Sequence, residues 1–96
     1  MNEDDLIRAA MNAIFEMASS CGMYATYHHE AEGDGHDTVM IRCDLEGDNT
    51  VTCRAIDWAI LVSTNDEREL LSFSTVDDPA VAVEVIALAR GLLTYY

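Results

Sequence analysis

The residues best equipped for chemistry lie between Tyr24 and Asp48. His28-His29-Glu30 and His36-Asp37 set three histidines among carboxylates, donor types that suit a transition metal or a proton relay. Spacing argues against a shared ion. Neighbouring strand residues face opposite ways, so His28 and His29 cannot both bind one metal without distortion. What remains is His28 with His36 across a hairpin loop, with Asp34 or Asp37 as third ligand; partly exposed loop histidines are the simpler reading. Asp44, Glu46 and Asp48 share the 1-3-5 offset of a calcium loop. Asn49, however, replaces the required glycine, and Ala55 stands where the bidentate glutamate belongs.

Cys21, Cys43 and Cys53 form no CxxC pair, and an odd number of cysteines suits a reducing compartment. Cys21 ends a helical stripe. Cys43 and Cys53 fall on inward strand positions, facing each other across a hairpin, and read as core thiols. The chain holds no GxSxG, P-loop, GxGxxG or HExxH motif. A carboxylate pair for acid–base work is not localised by any spacing. The expectation is a protein that is not an enzyme and that has no metal and no cofactor.

Charge is the more informative property. Eighteen Asp and Glu oppose five Arg, with no Lys, for a net charge of −13. Such a body repels phosphate backbones and anionic lipid, which excludes direct nucleic-acid and membrane-surface binding from the leading functions. Glu30, Glu32, Asp34, Asp37, Asp44, Glu46 and Asp48 form the densest stretch, with Arg42 as its only cation. They could be a plain solvated face. Alternatively they line one edge or outer face of a sheet. Strand neighbours lie about 4.8 Å apart and alternate residues about 6.8 Å apart, spacings close to those of successive phosphates. That row could occupy a basic groove on another protein.

Two helices and a sheet must position these groups. The last stretch, Asp77–Tyr96, is the most apolar, with Asp78 as cap and Pro79 at the first helical position. Steps of 100° gather Val81, Ala82, Val85, Ile86, Leu88, Ala89, Leu92 and Leu93 on one half. The other half has only Glu84 and Arg90 as charges, so it is either covered by a second surface or exposed for a partner. Trp58, Leu92, Leu93, Tyr95 and Tyr96 are a candidate dimer or partner patch. The run is broken by charges and too short for a bilayer core.

The first helix is expected from Glu3 or Asp4 to Ser19, with acids in its first turn where the helix dipole favours them. Its apolar arc is Leu6, Ile7, Ala10, Met11, Ala13, Ile14, Met17 and Ala18, and Gly22 supplies the left-handed stop. From Met23 to Val76 the period moves towards 2. Strands are expected over Tyr24–Ala31, Thr38–Leu45, Thr50–Ser63 and Glu69–Val76. The third is long and bent: Ile56, Trp58, Ile60 and Val62 take the opposite parity from Val51 and Cys53, which points to a bulge or break near Ala55–Asp57.

The fold class is therefore α+β, one domain over residues 1–96: two layers, a four-stranded antiparallel meander flanked by an N-terminal and a C-terminal helix. No basic, apolar leader opens the chain, and a cytoplasmic location is expected. In kind rather than by motif, the lysine-free acidic chain resembles small phage-encoded inhibitors of CRISPR or restriction machinery. That resemblance implies a nucleic-acid mimic blocking a partner with a basic, nucleic-acid-binding surface. The helix–meander–helix order is similar to small acidic dimeric secretion-chaperone domains, which implies a homodimer through the last helix. A third expectation is a halophile's domain whose acidity is adaptation to solvent.

Overall fold

The computed structural model describes residues 3–29, 37–42, 49–56, 59–64, 69–73 and 80–95. Helix α1 spans Glu3–Ser20. Ala10, Met11, Ile14 and Ala18 are buried along one stripe, while Asp5, Arg8, Asn12 and Glu16 stay exposed. Ala13, placed in the apolar arc by its 100° step, lies exposed. The helix stops as the glycine requires. Gly22 has φ of 82°, its N–H donates to the Ser19 carbonyl at 3.1 Å, and the Met23 N–H reaches the Ala18 carbonyl at 3.0 Å. That paired closure satisfies carbonyls the helix end would otherwise leave open, and it turns the buried Met23 back onto the core.

Five strands follow: β1 (Tyr24–His28), β2 (Thr38–Arg42), β3 (Val51–Ile56), β4 (Ala59–Ser63) and β5 (Glu69–Phe73). They pair antiparallel in the order β1-β2-β3-β4-β5, a meander. Helix α2 (Val81–Tyr95) closes the fold. The α+β meander between terminal helices stands as the residue pattern implies. The stretch expected as one bent strand, Thr50–Ser63, is instead the two strands β3 and β4, with Ile56 paired to Ala59.

Register explains the slip in parity. In β1–β2 and β2–β3 the paired positions share parity, as in Ala25↔Ile41 and Val39↔Cys53. In β3–β4 an even position faces an odd one, as in Cys53↔Val62 and Ala55↔Ile60. A side chain shares its face with its cross-strand partner, so the inward set must change parity between these strands. Val51, Cys53, Ala55, Ile60 and Val62 accordingly all point into one core. A register shift does occur, between Val62 and Ser63 against β5.

Helix α1 packs over β1 and β2, α2 over β3, and the helices on each other. The Arg90 guanidinium donates to the Cys21 carbonyl at 3.4 Å, tying the later part of α2 to the end of α1. Val81, Ala82, Val85, Ile86 and Ala89 face inward, and Val83 is 56 % exposed on the opposite side. The helix start assigned to Asp78 and Pro79 lies outside the described residues. Among the described residues no helix is long and apolar enough to cross a membrane.

Strands β1 to β4 contain no acidic residue. Their helix-free face carries Tyr24, Thr26, Met40, Arg42, Arg54 and Leu61, with Tyr24 and Met40 well exposed. Along the described residues of β1 to β4 that face is therefore neutral and basic, with no row of carboxylates across it.

Candidate functional site

The site grows from the edge strand. Alternation puts Ala25 and Tyr27 of β1 on the inward face and Tyr24, Thr26 and His28 outward. Carrying the β1–β2 register one step past His28↔Thr38 sets His29 opposite Asp37. The Ala55 N–H donates to the Asp37 carbonyl at 3.1 Å, extending the β2–β3 ladder and fixing the Asp37 backbone. Three inward positions thus meet where β1 ends and β2 begins.

Asp37 is the hub, only 6 % exposed. The Tyr27 hydroxyl donates to its Oδ2 at 2.6 Å. His29 Nδ1 lies 2.8 Å from its Oδ1. A carboxylate only accepts, so Nδ1 carries the proton and Nε2 is the ring nitrogen left for other partners. Burial, then the hydrogen bond and charge of Asp37, push the Tyr27 phenol well above its ordinary value, with the Arg8 charge opposing in part. Tyr27 therefore stays a donor throughout the neutral range. Helix α1 covers the cluster with Arg8, Ala9 and Asn12, and these border an open groove of about 440 Å³ with Tyr27 and His29. The Asn12 Nδ2 donates to Glu16 Oε1 at 3.3 Å.

Such a constellation can orient an imidazole and hold charge at a groove. The described thiols lie elsewhere. Cys53 is fully buried opposite Val39, not opposite another cysteine, and burial pushes its thiol up to about 12. Cys21 is half-buried, and Cys43 lies outside the described residues.

Of the seven carboxylates expected on one binding surface, Asp37 is buried and hydrogen-bonded, which removes it from any surface. Glu30, Glu32, Asp34, Asp44, Glu46 and Asp48 lie outside the described residues. Their connections leave β2 from opposite ends, 30–36 before Thr38 and 43–48 after Arg42. Of the conceivable metal set, His28 faces away from Asp37, and Asp34 and His36 lie outside the described residues. No group of three metal-ligating side chains occurs among the described residues. Leu92 and Leu93 are half-buried against the core. Trp58, Tyr96 and the Tyr95 side chain lie outside the described residues.

The Tyr27–Asp37–His29 cluster escapes a reading that treats 31–37 as plain loop. Its signal was the inward alternation Ala25, Tyr27, His29 meeting Asp37, Val39, Ile41 in one register. Compared with protein-family models, curated proteins and solved structures, the chain matches none.

Proposed function

We propose that this chain is a non-enzymatic acidic protein-binding domain, and that it blocks a partner whose basic surface otherwise binds nucleic acid, in the manner of an anti-CRISPR or anti-restriction inhibitor. One observation carries the reading: the acids are excluded from β1–β4 and, apart from Glu16 within α1 and Glu69 at the start of β5, belong to the connections and the helix starts. The antiparallel order sends the β1–β2, β3–β4 and β5–α2 connections from the same end of the sheet. Glu30, Glu32, Asp34, Asp57, Asp77 and Asp78 belong to those connections. Helix α1, whose Arg8 borders the groove with His29, starts at that end with Glu3, Asp4 and Asp5. An acidic pole of this kind complements a groove rich in lysine and arginine, and steers the encounter.

The test is competition. The tagged chain is used to isolate its partner from the native cell, and duplex DNA or RNA is then titrated into the purified complex. Displacement by nucleic acid at constant ionic strength is the expected result. A complex that nucleic acid joins without releasing the chain contradicts the reading.

A second reading, a homodimer through α2, is favoured by the exposed Val83 beside the exposed Ala87 and half-buried Gly91. Sedimentation separates the two: a strict monomer at high concentration removes the dimer. Cooperative folding retained in low salt argues against obligate halophilic adaptation.

A further inference from the structure

We propose that the groove between α1 and β1 is a binding site for a small oxyanion, phosphate or carboxylate, gripped by the Arg8 guanidinium and His29 Nε2, with Asp37 as the residue that positions the imidazole. The inference starts from an imbalance. In a chain with eighteen acids and five arginines, Arg8 is exposed at the groove and no carboxylate pairs with it among the described residues. Its planar fork of N–H donors suits two oxygens of one anion. Asp5, one turn back, is the nearest described acid on its own helix face, and Glu16, two turns on, accepts from Asn12.

His29 supplies the second contact. Its Nδ1 is held by the buried Asp37 at 2.8 Å, and Asp37 is held in turn by the Tyr27 hydroxyl. That chain of bonds fixes the ring, so the groove is offered the remaining nitrogen, Nε2. In the imidazolium form Nε2 is a charged donor, and two cationic donors then converge on a groove of about 440 Å³, room for a small ligand. The polar groups lining the groove are Arg8 and Asn12 from α1 and Tyr27 and His29 from the sheet; Asp5 and Glu16 lie one turn and two turns from Arg8 on the same helix face, and the buried Asp37 lies behind the two sheet residues. Only Arg8 and His29 can present positive charge there. The net charge of −13 opposes any anion. At physiological salt, charges beyond about 8 Å are largely screened, which leaves the local pair to decide.

The experiment is an NMR titration of the intact chain, following the His29 ring and the Arg8 Nε–H, with sodium phosphate, acetate and chloride at matched ionic strength. Saturable shifts of both groups with phosphate or acetate, and none with chloride, are expected. Preference between the first two tells a tetrahedral ligand from a planar one. Arg8→Gln, an exposed position that leaves the core intact, should weaken binding roughly tenfold, and Arg90→Gln should not change it. Equal response to chloride, shifts linear in concentration, or full binding by Arg8→Gln overturns the proposal.

Discussion

Burying a carboxylate is unfavourable by several kcal/mol unless its oxygens are hydrogen-bonded, so the Asp37 position has to be compensated where it stands. Tyr27 and His29 do this from two successive inward positions of one strand. Tyr27→Phe removes one charge-assisted donor and is expected to lower stability by about 1–3 kcal/mol, read by urea unfolding. The pH dependence has a fixed sign. The phenol keeps its proton above its ordinary value near 10.0 in the folded chain. Its contribution is therefore complete below about pH 10 and is lost as the pH rises further. Tyr27→Phe should flatten that alkaline decline; an unchanged alkaline limb contradicts the account of the hub. The thiols give a second check at this scale. Cys53 should resist alkylation until the chain unfolds, because only the thiolate reacts and burial suppresses it. Rapid native labelling of Cys53 would place it outside the core.

At the scale of elements, two glycines in helical settings have opposite roles. Gly22 sits at φ 82° with open space around a would-be Cβ, so Gly22→Ala meets no clash with a neighbour but must hold a left-handed conformation that an L side chain disfavours. A decrease of about 1 kcal/mol is expected. Gly91 lies inside α2 with equal room, so Gly91→Ala should instead add about 0.5–1 kcal/mol through helix propensity. Thermal unfolding of the pair, with shifts of opposite sign, checks both. The hairpin of β3 and β4 has its own measurement: NMR cross-strand contacts of Cys53 with Val62 and of Arg54 with Leu61 are expected. Their absence would restore the single bent strand. Helix α1 and its glycine stop were legible because a 3.6 period and a left-handed residue each admit one structure. The parity slip at Ala55–Ile56 was visible too, but a bulge and a two-residue reversal both produce it. Only pairing tells them apart, and pairing is non-local. The hub was hidden for the same reason, since Tyr27, His29 and Asp37 share a face through a register that no local window displays.

At the scale of the whole molecule, charge and topology act together. Hydrophobic positions fill one core beneath two helices, and strands β1 to β4 hold no acid, Glu69 at the start of β5 being the one acid within a described strand. The antiparallel order divides the connections between the two ends of the sheet: those that contain Glu30, Glu32 and Asp34, then Asp57, then Asp77 and Asp78 follow β1, β3 and β5, whereas those that contain Asp44, Glu46 and Asp48, then Asp66 and Glu67 follow β2 and β4. Neutralisation should respect that division and spare the buried Asp37, whose loss would unfold the hub and mimic a binding defect. The deciding measurement is the salt dependence of partner affinity for the native chain and for Glu30→Gln/Glu32→Gln/Asp34→Asn. Affinity is expected to fall steeply with salt, and the triple variant to bind more weakly with a shallower slope. An affinity indifferent to salt, or a triple variant that binds as the native chain does, would contradict the acidic pole as the binding surface.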